Sequence, residues 1–254
     1  RPATTPEGQP WPRITVVTVS YNQAAYLEQT LRSVLDQGYP NLEYLVVDGG
    51  STDGSVEIIQ RYAPQLAWWV SERDRGQSEA LNKGFRRATG EILTWLNSDD
   101  RLAPGALFTV ADAFRRHRDA DLVAGRCARV QDLTALPHHV HRCRLPLGQV
   151  VPLPLAGLLD LDGGWQRGDF FHQPEVFFTK RIFDRSGGSL REDLYYSMDY
   201  DLWVRMAKAG AQVLAIPEIT AIFRQHGNQK TGGAELPFLP ELRAVNAAHR
   251  GQTA

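Results

Sequence analysis

Apolar residues follow two alternating rhythms along this chain. Residues 14–20, 43–47, 66–70 and 91–96 are short runs dense in β-branched and aromatic side chains, the pattern of strands buried on both faces. Between them apolar residues recur at helical spacing. Leu27, Leu31, Val34 and Leu35 form one such stripe, stopped by Gly38 and Pro40. Val56, Ile59 and Tyr62 form a second, after the Gly-rich turn DGGSTDG. Leu81, Phe85 and Ala88 form a third, with Gly90 as its expected C-cap. Leu107, Val110, Ala111 and Phe114 form a fourth, entered through Pro104 as its first residue. Strand and helix in alternation predict an α/β fold: a single doubly wound, mostly parallel sheet with helices on both faces.

The rhythm loosens after Ala120. Residues 121–124 and 128–131 read as short strands, and 132–168 as irregular, with four of the chain's fifteen prolines. Order returns in an expected strand at 172–179, a helix from about Asp199 carrying Leu202, Met206 and Ala209, and a last strand at 212–216. The Pro-rich residues 1–12 read as a flexible lead-in, and 231–254 as a weakly helical tail. The body between divides into 13–104 and an irregular half, 105–230.

Composition changes this picture little. With 254 residues, 43% hydrophobic and 22% charged, the chain is long enough for one sizeable core. A net charge of −1 gives no basic field, so no nucleic-acid partner is expected. Arg86-Arg87 and Arg115-Arg116-His117-Arg118 read as solvated helix faces, with docking on an anionic membrane surface as the second reading. Two cysteines, Cys127 and Cys143, are too few for a disulfide framework and lack metal-site spacing. They read as free thiols in a reducing, cytoplasmic setting. No apolar run approaches the ~20 residues of a bilayer span.

Polar positions carry the chemistry. Each of the first four strands runs directly into polar or acidic residues: Ser20-Tyr21-Asn22, Asp48 to Asp53, Glu72 to Gly76, and Asn97 to Asp100. An open parallel sheet binds its ligands outside the carboxyl ends of its strands, so these segments converge on one edge. Asp48, Asp53, Glu72, Asp74, Asp99 and Asp100 make that edge acidic, and closely packed carboxylates call for a compensating cation. Oxygen ligands without cysteine suit Mg2+ or Mn2+, which keep positions open for a diphosphate.

The runs TVSYNQAAYLEQTLRSVLDQGYPNLEYLVVDGGSTDGS and SERDRGQSEALNKGFRRATGEILTWLNSDD resemble the nucleotide-binding half of a family 2 glycosyltransferase of GT-A fold. The likeness extends over roughly 13–230 and is most specific at 14–104. It implies a nucleotide-diphosphate sugar donor, a divalent ion and inversion at the anomeric carbon. The acceptor would be a glycan, a lipid-linked molecule or another hydroxyl, in cell-envelope or exopolysaccharide assembly; peripheral association at the inner face of a membrane is the second reading of the basic clusters. By the same resemblance, Ser20, Tyr21, Asn22 and Asp48 would line the nucleoside pocket, with Tyr21 stacked on the base. Asp74 and Gly76 would add donor contacts, Asn82 and Lys83 would lie nearby, and Asn97 to Asp100 would occupy the DxD position. HQPEVFF would be the acceptor-side strand, with His172 and Gln173, and MDYDLWVRMAKAG would carry the base at Asp199. FRQHGN would bring His226 to the metal or the phosphates. Three departures stand out: Gly49 where many members have a second aspartate, Asn97 at the first DxD position, and Met198 where an acidic residue often precedes the base.

Several of these residues also have plainer readings. Asp199 sits where a helix starts, where the macrodipole favours the ionised form by ~0.3–1 kcal/mol, but Asp201 competes for the same role. His172 binds acceptor or satisfies a core hydrogen bond. Trp165, with Phe170 and Phe171, forms either a sugar platform or core, and the Trp68-Trp69 pair reads as sheet core. Other functions fit less well. A pyrophosphorylase needs a Gly-rich basic loop where SYNQ stands, and a dinucleotide oxidoreductase needs GxGxxG there. A catalytically inactive sugar-nucleotide-binding domain draws its support from Asn97 and Met198.

Overall fold

A computed structural model describes residues 2–131, 136–164, 167, 172–227, 229–231 and 236–251. Its first half follows the predicted rhythm. Strands β1 (Ile14–Ser20), β2 (Leu42–Asp48), β3 (Trp68–Ser71) and β4 (Ile92–Asn97) are linked through helices α1 (Ala24–Leu35), α2 (Ser55–Tyr62) and α3 (Gln77–Arg87). These four strands are parallel, in the order β3-β2-β1-β4. Every residue of β1 is buried, as a run apolar on both faces requires.

Beyond β4 the sheet becomes mixed. A short β5 (Arg101–Leu102) and α4 (Ala106–Arg116) precede the long β6 (Leu122–Val130), which joins the two short strands expected at 121–124 and 128–131. Short pieces β7 (His139–His141), β8 (Val150–Pro152) and α5 (Leu155–Leu159) follow in the stretch expected to be irregular. Then come β9 (Val176–Thr179), α6 (Lys180–Arg185), α7 (Met198–Lys208), β10 (Gln212–Arg224) and α8 (Leu239–Gly251). The sheet continues from β4 through β9, β6 and β10 to β5. In it β9 runs antiparallel to both β4 and β6, while β10 runs parallel to β6. Two apolar clusters, one on each face, fill the space under the helices. The architecture is the expected α/β sandwich. Among the described residues no helix is long and apolar enough to cross a membrane.

Several local expectations need correction. Gly90 is not a C-cap: α3 ends at Arg87, and its C-cap is Ala88, which is already extended. Gly90 instead packs on β1, where an added Cβ would lie 2.5 Å from Thr15 Oγ1 and 2.7 Å from Thr15 N. Its own N–H donates to Thr15 Oγ1, whose hydroxyl donates in turn to Glu43. Gly90→Ala should therefore cost about 1–3 kcal/mol by overpacking, read as a melting midpoint lowered by at least a few degrees. Pro104 precedes its helix, which starts at Ala106 behind the positive-φ Gly105. The strand expected at 172–179 begins as a 3-10 turn, Gln173–Glu175, because Pro174 is compatible with the turn and not with a ladder. The lead-in also has structure: Thr4 bridges Pro10, and Trp11 is buried against Tyr39 and Phe108.

The strand β10 matters most for the site. Its pairing with β6 shifts register between Ala215 and Ala221, as a bulge around Pro217 would produce. Past that irregularity the strand reaches β5 and carries Arg224 and His226 toward the end of β4.

Candidate active site

The carboxyl ends of β1, β2 and β4 lie side by side, since Ser20 pairs with Asp48 and Val19 with Asn97. The loops above them are tied together by their own polar groups. Asp48, fully buried, accepts from Gly50 N (3.0 Å), Ser51 N (2.8 Å) and the hydroxyls of Ser51 (2.5 Å) and Ser71 (2.7 Å). Asn22, at φ 51°, donates its N–H to Ser51 and accepts from Thr52 N. Asp53 accepts from Ala24 N and from Ser55, pinning the second loop to the start of α1; these bonds hold its carboxyl below the usual range against desolvation. Asp48, Asn22 and Asp53 thus build the rim.

What the rim presents is Tyr21, 63% exposed, beside Gly49 and Asp74. A Cβ on Gly49 would lie 2.8 Å from Asp74 Oδ2 and 3.3 Å from Tyr21 Cδ2. The glycine is therefore the gap into which Asp74 leans. Asp74 accepts from Gly76 N at 2.9 Å, and desolvation is the largest influence on its carboxyl, raising it. Gly76 begins α3 at φ 136°, a conformation open to glycine. Ser20 is buried, and its hydroxyl finds no partner among the described residues. Two expected donor residues turn elsewhere. Asn82 is buried and spends its amide on Leu190 and Glu192. Lys83 pairs with Glu72 (3.0 Å) and Glu79 (3.5 Å), beside a separate cavity of about 330 Å3 next to Trp68.

The turn after β4 is held by Thr30, whose hydroxyl lies 2.8 and 2.7 Å from the carbonyls of Ser98 and Asp100. It splits the two aspartates. Asp99 stays partly exposed and lies 3.1 Å from His226 Nε2. The His226 ring packs on Tyr26, at 4.4 Å between centroids, and its Nδ1 has no partner among the described residues. Asp100 turns inward, 1% exposed. One of its oxygens accepts from Arg224 N at 3.2 Å, and the other is without a partner among the described residues. Burial first, and the neighbouring Asp99 second, drive its carboxyl well above the ordinary range. No group of three His, Cys, Asp or Glu converges to hold a metal among the described residues. Two donors do converge. They are Asp99 Oδ2 and His226 Nε2, a carboxylate and an imidazole hydrogen-bonded at 3.1 Å, a donor pair that a divalent ion could take.

Asp199 is the second residue of α7, and its Oδ1 accepts from Tyr200 N at 2.7 Å. The dipole alone would depress its pKa. Desolvation wins, and Asp199 is pushed up to about 6, with Lys230 pulling it down and Glu241 pushing it up. Asp201 is 1% exposed; one oxygen accepts from Arg205 Nε at 2.7 Å and the other meets His249 Nε2 at 2.9 Å. Both of its oxygens are committed to holding α7 in place.

A chain of side chains joins the two halves. Lys230 Nζ donates to Gln77 Oε1 (2.9 Å), and Gln77 Nε2 donates to Asn97 Oδ1 (2.8 Å). Asn97 Nδ2 in turn reaches Gln173 Oε1 at 3.5 Å, while Gln173 Nε2 donates to Trp95 O at 2.8 Å. Asn97 and Gln173 therefore meet where the end of β4 faces the turn that leads into β9. Beside them a cleft of about 240 Å3 runs between Arg75–Ser78 and Glu192–Tyr195. His172 lies against His141 (4.3 Å) and Phe223 (5.8 Å), and burial pushes it down to about 3, so it is neutral. Glu175 below it is buried and pushed up to about 7 by desolvation, opposed by its bond to His141. Trp165, Phe170 and Phe171 lie outside the described residues.

Lys230 was not among the residues singled out in the sequence. A lone lysine in a Gly- and Thr-rich tail carries no periodic signal, and its proximity to Asp199 exists only after β10 has crossed the sheet.

Comparison with known proteins bears on the family and the fold. Residues 15–186 match the family described as Glycosyl transferase family 2. A putative teichuronic acid biosynthesis glycosyltransferase, TuaG of Bacillus subtilis, is 34% identical over 133 residues, 51% of this chain and 53% of that protein. The chain spans only a third to about half of the curated relatives matched first, 33% and 53% of two of them. Among solved structures, S. aureus TarS 1-349 in complex with UDP-GlcNAc aligns with TM-score 0.71 at 17% identity, over 93% of this chain and 66% of that one. The mannosyltransferase PcManGT of Pyrobaculum calidifontis, in complex with GDP-Man and Mn2+, aligns with TM-score 0.62 at 23% identity, over 95% and 64%. These likenesses identify the fold as GT-A.

Proposed function

The chain belongs to glycosyl transferase family 2, and on that premise we propose that it moves a sugar from a nucleotide-diphosphate donor to an acceptor hydroxyl with inversion. The carrying observation is a linkage: the exposed Tyr21 and Asp99, paired with His226, follow the ends of β1 and β4, and Lys230, which acts on Asp199, is joined through Gln77 to Asn97 at the end of β4. We take 13–104 as the donor half and 105–230 as the acceptor half. Tyr21 offers its face to the base, Asp74 a carboxylate to the nucleoside, and the Asn97–Gln173 contact a floor beneath the sugar. TarS and PcManGT were solved with UDP-GlcNAc and with GDP-Man and Mn2+, which supports a donor of this class without choosing its base. The acceptor, whether a glycan or a lipid-linked molecule at a membrane surface, would enter by the cleft beside Tyr195.

Asp99 and His226 would hold a divalent ion, Mn2+ or Mg2+, whose remaining ligands would come from the diphosphate and water. When bound, such an ion offsets the charge that develops on the leaving diphosphate. Asp100 belongs behind this pair: its buried carboxyl holds Arg224 N and fixes the turn.

The chain's own residues then handle the proton. Asp199 accepts it from the acceptor hydroxyl as that oxygen bonds to the anomeric carbon, while the bond from that carbon to the diphosphate oxygen breaks. A base with a pKa near 6 is mostly ionised at neutral pH, yet stronger than an ordinary aspartate. One displacement with the base opposite the leaving group inverts the centre. Incubation with Mn2+ and a panel of UDP-, GDP- and dTDP-sugars should release nucleotide, and proton NMR of the freed or transferred sugar should show the anomeric configuration opposite to the donor's. Retention of configuration would overturn the single displacement, and binding without any turnover would overturn the activity.

A further inference from the structure

The C-terminal segment, beyond the matched residues 15–186, encloses α7 in a way the donor half does not require. Glu241, in the first turn of α8, accepts three backbone N–H groups that lead into α7: Tyr195 N (2.8 Å), Tyr196 N (2.7 Å) and Ser197 N (2.6 Å). N–H groups at a helix start otherwise lack partners, and here a carboxylate from another helix supplies them. Two further bonds run along the same interface. Asn246 Nδ2 donates to Tyr200 OH at 2.6 Å, and His249 Nε2 meets Asp201 Oδ1 at 2.9 Å. Residues 195–201 are thus held by α8 on both sides of Asp199.

Lys230 approaches from the other direction. Its ammonium donates to Gln77 Oε1 and lies 4.1 Å from the centroid of the Tyr195 ring and 5.8 Å from that of Tyr196. The same tyrosines whose N–H groups Glu241 holds therefore form the surface on which Lys230 rests. The charged groups facing Asp199 are Lys230 from this segment and Glu241 from α8, alongside the Tyr200 N–H of its own helix.

We infer that Glu241 and Lys230 are positioning residues for the proposed base: Glu241 fixes the backbone that presents Asp199, and Lys230, resting on the same tyrosines, places a positive charge opposite Glu241's negative one. The inference rests on Asp199 as the base, and it extends the working apparatus from α7 into α8, both beyond the matched residues 15–186. Lys230 favours the ionised carboxylate and Glu241 opposes it. Burial lowers Lys230 itself to about 8, against the pull of Asp199 and Glu241, so its support weakens in mild alkali.

The test reads Asp199 directly, without donor or acceptor. In full-length protein labelled at aspartate 13Cγ, the Asp199 signal, identified by its loss in Asp199→Asn, should titrate near pH 6. In Lys230→Met the midpoint should rise by about half a pH unit or more. In Glu241→Gln, which keeps a carbonyl acceptor but loses the charge, it should fall by a similar amount. Lys230→Arg should restore the wild-type midpoint to within about 0.2 units. A merely structural role would not shift the two variants in opposite directions. Unchanged midpoints in both variants, or shifts of the same sign, overturn the inference. Should Glu241→Gln fail to fold, the Lys230 pair still decides, since a midpoint indifferent to its charge is enough to refute it. Failure of the functional reading looks different: Asp199→Asn would then turn over donor normally, whatever the titrations show.

Discussion

Replacing Asp199 with Asn is expected to lower turnover by about 10²–10⁴-fold, the usual contribution of a general base, while leaving donor affinity within about twofold. The separation follows from geometry. Asp199 lies on α7, and the loops after β1 and β2 are organised by Asp48, Asn22 and Asp53, none of which makes a hydrogen bond to α7 among the described residues. The amide keeps the shape and an acceptor for Tyr200 N, so α7 should stay in place. Wild-type turnover should rise through pH 6 as the carboxyl ionises, because its pKa is raised to about 6 and only the deprotonated form can accept the acceptor's proton. Asp201→Asn makes the contrast. Its carboxylate is spent on Arg205 and His249, so that change should lower the melting midpoint and leave the acidic limb of the profile where it was. Near-normal turnover in Asp199→Asn would remove the base assignment.

That contrast also measures what a sequence can reveal. Asp199 and Asp201 are two residues apart at the start of one helix, and no pattern in the chain separates them. The distinction is tertiary: Arg205 one turn along and His249 from the far C-terminus claim Asp201. The first four strands and three helices were legible because their apolar periods are clean and each is closed by a local break such as Gly38 or Pro40. The mixed half was not. β10 reads as ending at Ile216 because Pro217 and Glu218 interrupt it, yet the strand continues through a register shift to Arg224. Gly90 looked like a cap because glycine after a helix commonly is one. Its reason is the proximity of Thr15, seventy-five residues away in sequence.

The acidic edge shows the same limit. Six carboxylates converge in the sequence, and their shared location is what first suggested a cation. The structure distributes them differently. Asp48 and Asp53 accept hydrogen bonds within the loops, Glu72 pairs with Lys83, and Asp100 is buried against Arg224 N. Asp74 leans over Gly49, and Asp99 alone meets a histidine. Much of the apparent repulsion is therefore relieved by N–H and O–H donors, a possibility that charge counting along a chain leaves out. On the proposed reading, the protein ligands left for a cation would be Asp99 and His226.

Removing that share gives the second large effect. Asp99→Ala is expected to weaken donor binding in Mn2+ by at least about 10–100-fold, the loss seen when even an outer partner of a metal ligand is removed. Without Mn2+, the variant should bind donor no more weakly than wild type, because Asp99 would then contribute only an unneutralised charge that repels the phosphates. The variant should remain folded: Asp99 is a partly exposed side chain whose described bond is to His226, whereas the turn itself is held by Thr30 and Asp100. Titration calorimetry with and without Mn2+, on both proteins, reads the difference as a coupling between metal and donor, which must be reciprocal if the ion bridges them. His226→Ala should reproduce part of the loss, since one of two converging protein donors would survive. If donor affinity in wild type is indifferent to Mn2+, Asp99 and His226 are no more than a hydrogen-bonded pair packed on Tyr26, and the charge on the leaving diphosphate must be met by groups of the chain itself, with Lys230 the first to examine.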